Sequence, residues 1–389
     1  MTTPWSPPPT TRRAARAVAR RWTPRTSRSR AEPSAPRPRV RRVQLTARDL
    51  NRTLLARQHL LERTTLPVPD LVRHLVGLQA QENLPPYLSL AARLDDLDPY
   101  AVSRRLEDRS LVRLLTLRGT IHLLVPEDAL ALRPWTQPVQ DRERTVSQNS
   151  RPGLHLPADE VTAAVDAALA DGPLPVKALG EAMTTAFPGV PPNALGHLAR
   201  VDVPLAQLPP RGCWKQSGGV VYQRVDRWLD RPMGTLDVED LVRRYLRAFG
   251  PATAADMTAW SGRTRLGPVL NAMDDLVRHT GPDGRPVFDV PEGEIVPGDT
   301  PAPVRLLGSY DNVWLAHAKR DRVTAPEKRS GWMGPNGGNA ATVFVDGMLE
   351  GLWRVEDGRV RTQLFRALSG RERSDLDDEV ARVEALLAL

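Results

Sequence analysis

Two glutamines two residues apart offer the most specific chemistry in the chain. They lie in the run Gly77-Leu78-Gln79-Ala80-Gln81-Glu82-Asn83-Leu84-Pro85-Pro86-Tyr87, at the end of an apolar helical pattern. Glutamine has no useful pKa, so neither amide can serve as a strong general base. An amide can still position a water and present its carbonyl dipole to developing positive charge. Spacing decides whether the two act together. On a helix, residues two apart point about 200° away from each other, whereas in an extended segment they share a face. Joint action on one atom therefore requires the helix to end near Leu78, with Ala80 turned into the core. A polar helix terminus is the alternative reading.

The elements that must hold this run follow from apolar spacing. Order begins near Val43. Thr46 is an N-cap with Asp49 three residues on, and Leu50, Leu54, Leu60 and Leu61 mark an amphipathic helix. Leu66-Pro67-Val68-Pro69 breaks it, and Asp70 is expected to cap a second helix carrying Leu71, Leu75 and Leu78. Pro85 and Pro86 open a third helix, and a fourth follows Pro99. Leu111–Leu117 and Ile121–Val125 read as strands joined at Arg118-Gly119-Thr120.

Further along, the chain repeats itself weakly. A helix ends at Gly172-Pro173, and another ends at Gly250-Pro251, 78 positions later. Each is followed by a second helix, a third helix (Pro192–Arg200; Arg265–Arg278) and a hairpin. The first hairpin pairs Pro204–Leu208 with Val220–Arg224, and the second pairs Val287–Val290 with Ile295–Val296. Three short helices plus a two-stranded wing is the winged form of the helix-turn-helix. Residues 301–365 read as β-rich, with strands at Val304–Leu307, Val313–Leu315, Thr342–Val345 and Gly351–Val355 and a turn-rich loop at Gly334–Asn339. A helix from about Glu372 ends the chain. The expected fold is α+β and mainly helical. It comprises a basic tail (1–42), three winged-helix units (43–150, 151–235, 236–300), and a β-rich module with a terminal helix (301–389).

Charge is uneven. Residues 1–42 contain twelve arginines and one acid, Glu32, so the tail carries +11 of a total +8 and the body carries −3. The high pI belongs to the tail and does not make the body a basic nucleic-acid binder. The tail reads as disordered, either an arm for phosphates or an unconstrained extension. No apolar run reaches the length of a membrane span. The single cysteine, Cys213, excludes internal disulfides and cysteine-held metal centres, and reads as a packing residue. There is no phosphate-binding glycine loop, no dinucleotide fingerprint and no hydrolase nucleophile motif. The seven histidines are scattered, and His59 and His74 read as solvated or core-satisfied. No metal and no cofactor is expected.

The run GLQAQENLPPYLSLAARL at 77–94 resembles the AlkZ-type alkylpurine DNA glycosylases, a family of tandem winged-helix proteins. LTARDLNRTLLARQHLL (45–61), LRGTIHLLVPEDA (117–129), RRYLRAFGPATAADMTAWSG (243–262), LLGSYDNVWLAHAKRDRV (306–323) and FVDGMLEGLWRV (344–355) resemble the same family, in order. The resemblance implies three winged-helix units and a C-terminal β module around a concave DNA channel. It implies a Gln-apolar-Gln catalytic signature at Gln79-Ala80-Gln81, with Ala80 a mild departure as the smallest apolar residue. It further implies hydrolysis of the N-glycosidic bond of N7-alkylated purines, in some members of interstrand crosslinks; lysines are scarce and none lies near the glutamine motif in sequence, so no Schiff base is expected. Such a base is already cationic and departs readily, leaving an oxocarbenium-like sugar for two amides and a water. Glu82, Arg118, Thr120 and His122 are candidates for a supporting shell or phosphate contact, with core or hairpin structure as the alternative. The expected partner is double-stranded DNA carrying alkylated purines, met by a monomer in a bacterial cytoplasm at the nucleoid. The rival function is a non-catalytic winged-helix DNA-binding protein or regulator.

Overall fold

Thr46 and Asp49 close a reciprocal capping box that starts α1 (Ala47–Arg57). This is seen in a computed structural model, which describes residues 43–329 and 340–389. The basic tail and the loop at Gly334–Asn339 lie outside the described residues. After α1 come α2 (Val68–His74), β1 (Leu78–Gln79), α3 (Pro85–Arg93), α4 (Pro99–Glu107), β2 (Val112–Leu115) and β3 (Ile121–Leu124). Then α5 (Pro126–Trp135) and α6 (Gln137–Val146) lead into α7 (Ala158–Ala168), β4 (Leu174–Pro175), α8 (Val176–Met183), α9 (Pro192–Asp202), β5 (Leu205–Gln207) and β6 (Val221–Arg224). The short α10 (Val225–Leu229) leads into α11 (Val238–Phe249), α12 (Ala254–Ser261), α13 (Gly267–Ala272), β7 (Val277–Thr280) and β8 (Pro286–Asp289).

One order recurs through these runs: helix, short strand, helix, helix, two strands. In the third run the short strand is a single bridge at Ala252. Each time the short strand pairs antiparallel with the last one: β1 with β3, β4 with β6, and Ala252 with Phe288. β2 and β5 also pair antiparallel, which fuses the first two runs into a six-stranded sheet, β1-β3-β2-β5-β6-β4. Alternation along β2 divides the core. Leu111 and Leu115 join one apolar cluster with Leu78, Tyr87 and Trp214, while Val112 and Leu114 join another with Leu54, Tyr245 and Trp314. Cys213 is buried in the first cluster.

The chain then forms β9 (Arg305–Leu307), α14 (Asn312–Leu315), α15 (Pro326–Arg329), β10 (Ala341–Val345), β11 (Met348–Glu356), β12 (Arg359–Leu364) and α16 (Gly370–Ala388). The four strands make an antiparallel sheet, β12-β11-β10-β9. Val313–Leu315 is thus helical and not a strand, because the Asp311 carboxylate accepts from the Val313 N–H and starts a turn of helix. The helix expected over Arg265–Arg278 shrinks to Gly267–Ala272, since Met273 is extended and 277–280 is a strand. The second hairpin accordingly pairs 277–280 with 286–289 across an Asp283-Gly284 turn, not 287–290 with 295–296. Asp70 lies in the first turn of α2, whose N-cap, Pro67, has no side-chain hydrogen bond to give.

Candidate active site

α2 ends at His74, before the glutamine run begins. Val76 and Gly77 take positive φ, 51° and 93°, and turn the chain out of the helix. A Cβ at Gly77 would come within 2.4 Å of Leu124 Cδ2 and 3.2 Å of the Leu123 carbonyl. The segment beyond is extended: Leu78 stands opposite Leu123, Gln79 opposite His122, and the Ala80 N–H donates to Ile121 at 2.7 Å. Ala80 is fully buried, Gln79 nearly so, and Gln81 exposed. The two glutamines therefore share a face, as joint action requires.

Both amides meet the turn between β2 and β3. Gln79 Oε1 accepts from Arg118 Nη2 at 2.9 Å and from Thr120 Oγ1 at 3.4 Å. Gln81 Oε1 accepts from the Ile121 N–H at 3.2 Å. A guanidinium and a backbone N–H can only donate, which fixes the oxygen end of each amide. Both carbonyls are thus engaged by protein donors, where the sequence had suggested two free carbonyl dipoles. Arg118 itself has φ 54°, and its Nη1 donates to the Trp260 carbonyl on α12.

His122 completes a chain of bonds. Its Nδ1 lies 3.0 Å from the Thr120 carbonyl and its Nε2 lies 3.2 Å from Arg118 Nη2. The carbonyl can only accept, so the proton sits on Nδ1 and the Nε2 lone pair faces Arg118. Burial and then the Arg118 charge push the His122 pKa down to about 3. The ring is neutral near pH 7 and holds Arg118 rather than shuttling protons. Burial and then the neighbouring Arg320 lower Arg118 to about 10, still cationic at neutral pH. Gln79, Gln81, Arg118, Thr120 and His122 are thus brought together. Glu82 is not: it is exposed and makes no hydrogen bond or ion pair among the described residues.

A profile of the family described as "DNA glycosylase AlkZ-like" matches residues 72–386. The chain belongs to the AlkZ-like DNA glycosylases. It is 28% identical over 335 residues to an interstrand DNA cross-link repair glycosylase of Streptomyces sahachiroi, covering 78% of this chain and 86% of that protein. It is similar in fold to the solved Streptomyces sahachiroi DNA glycosylase AlkZ, with a TM-score of 0.69 and 24% identity over 88% of this chain and 98% of the other.

Sequence reasoning missed what holds the glycosylase's glutamine run in place. Arg113, buried on β2, donates to the Ala80 carbonyl at 2.6 Å and to Asn83 Oδ1 at 2.9 Å, so it grips the segment on both sides of Gln81. Its signal was a lone charge in the apolar strand Leu111–Leu115. From the far end of the chain, Asn312 Nδ2 donates to the Gly77 carbonyl at 3.0 Å. Its neighbour Asp311 forms a fully buried pair with Arg93 at 2.7 Å and accepts from Ser89 at 2.8 Å, which ties α14 to α3. Among the described residues, no group of three or more His, Cys, Asp or Glu could hold a metal. No helix among them is long and apolar enough to cross a membrane.

Proposed function

We propose that the enzyme is a monofunctional glycosylase that hydrolyses the N-glycosidic bond of alkylated purines in duplex DNA, N7-alkylguanine foremost. The curated relative's role in cross-link repair extends the proposal to interstrand crosslinks. The observation that carries it is the shared face of Gln79 and Gln81, both secured on the turn at 118–121. Gln81 is exposed, and its carbonyl, with two lone pairs, accepts one bond. The free lone pair accepts a hydrogen bond from the attacking water and leaves the water oxygen aimed at the sugar. Gln79 presents its N–H groups, since Arg118 and Thr120 occupy its carbonyl. Thr120 and His122 support this order, and Glu82 stands outside it.

The architecture behind this reading is three winged-helix units, 43–150, 151–235 and 236–300, followed by a β-rich module at 301–389. The recurring element order and the pairing of each short strand with its last strand support it. The enzyme works as a monomer, inside the cell, on the DNA of the nucleoid.

A bifunctional enzyme would attack the sugar with an amine. Lysine is scarce in this chain, with four residues in all, and none bonds to the glutamines. Incubated with N7-methylguanine duplex and borohydride, the protein should yield free base, an intact abasic strand and no covalent adduct. A trapped adduct would point to Lys215, Lys319 or Lys328 and overturn the mechanism.

A further inference from the structure

Arg118 carries more binding capacity than the glutamine site uses. Guanidinium has five N–H donors. Three are spent, on the Trp260 carbonyl, Gln79 Oε1 and His122 Nε2. The Nε–H and one Nη1–H remain, on a side chain that is half-buried and not sealed. All three acceptors are neutral. Among the described residues no carboxylate makes an ion pair with Arg118, and the charge that acts on it is a second cation, Arg320. Several buried arginines elsewhere in the body are neutralised, Arg57 by Asp289, Arg93 by Asp311 and Arg244 by Asp128, whereas Arg113, beside the same glutamine run, also bonds to neutral acceptors.

A guanidinium with spare donors and a second cation nearby favours an oxyanion. The two cations are a poor setting for an oxocarbenium ion, whose charge they would oppose at close range. The conflict resolves if the substrate brings the missing negative charge. We infer that Arg118 binds a phosphodiester flanking the target nucleotide, and that this bound phosphate offsets the guanidinium and stabilises the sugar cation. In the step, the C1′–N9 bond breaks and its electron pair leaves on the cationic base, which departs neutral. Water adds to C1′ and releases one proton to solvent. Arg118 and the phosphate exchange no atoms with the reactants. Arg118 therefore couples substrate binding to Gln79, since one guanidinium touches both.

This inference rests on the glycosylase reading, and one experiment separates the two. Single-turnover base release is measured on N7-methylguanine duplexes with a native phosphodiester, or with a neutral methylphosphonate on the 5′ or 3′ side of the lesion. Wild type and Arg118→Met are compared, with thermal unfolding as a check on folding. Wild type should lose about 10²-fold in rate on one of the neutral linkages, the scale of losing one positioned electrostatic partner. Arg118→Met should lose a similar factor on native DNA and less than about threefold more on the neutral linkage. Arg118→Lys, which keeps the charge, should recover part of the rate and serves if the Met variant does not fold. Losses that multiply in Arg118→Met would show independent roles and overturn the inference. So would a wild type insensitive to both neutral linkages. No release by wild type from native DNA would overturn the glycosylase reading itself.

Discussion

Gln79 and Gln81 differ in what their amides have left to give. Gln81 keeps a carbonyl lone pair in the open, whereas the Gln79 carbonyl is saturated by Arg118 and Thr120. Their order depends on a neutral His122, because an imidazolium would turn an N–H on Arg118 where a lone pair now accepts. With a folded pKa of about 3, the ring stays neutral through the working range. The excision rate should show no inflection near the ordinary histidine pKa of 6.5. An inflection there that vanishes in His122→Asn would mean that the ring gains a proton and acts as an acid. Stability follows the same shift. Below pH 6.5 the unfolded chain takes up protons that the folded His122 refuses, so stability present above 6.5 is lost as pH falls toward 3. His59, His197 and His317 are depressed in the same sense, by burial first, while Asp202, raised to about 6 by burial, works against them. Thermal midpoints measured from pH 8 to 5 should therefore hold and then decline.

The exit from α2 is the element that makes the site. Much of it was legible: joint action of the two glutamines required a helix end near Leu78 and a buried Ala80, and α2 ends at His74 with Ala80 buried. The capping box at Thr46 and Asp49 was equally local and equally legible. The strand β1 was not, because two residues carry no period and its pairing depends on β3, more than forty positions away. Arg113 and Asn312 escaped for the same reason, since their partners lie 33 and 235 positions off. The short α14 was misread because an apolar run of three fits strand and helix alike, and a side-chain cap settled it. Gly77 is where this element can be tested. Gly77→Ala must hold φ near 93° against Leu124, at a cost of roughly 1–3 kcal/mol, and should shift Gln79 and slow excision. Gly172→Ala has a φ of 142° but nothing within 4 Å of the added carbon, so it should bear backbone strain alone and keep its excision rate. Denaturant midpoints and single-turnover rates of the two variants would check this, and equal rates would detach the Gly77 turn from catalysis.

For the whole molecule, net charge is a poor guide to a polyanionic substrate. The body carries −3, yet Arg113 and Arg118 beside the glutamines contact neutral acceptors. The local field at the site is therefore positive where the total is not. The six-stranded sheet places that site at its β1 edge, with α12 of the third run supplying the Trp260 carbonyl and α14 supplying Asn312. Helical runs and C-terminal module thus converge on two amides. The central claim is that those amides act at the transition state and not in holding DNA. It is tested most directly by single-turnover release of 7-methylguanine from duplex DNA by wild type, Gln79→Ala and Gln81→Ala, with duplex affinity measured alongside. Each variant should excise more slowly at nearly unchanged affinity. Gln81→Ala should lose the more, up to about 10²-fold, because it alone offers a free carbonyl to the water. Wild-type rates in both variants would contradict the account and leave a protein that binds DNA with a polar turn on its surface.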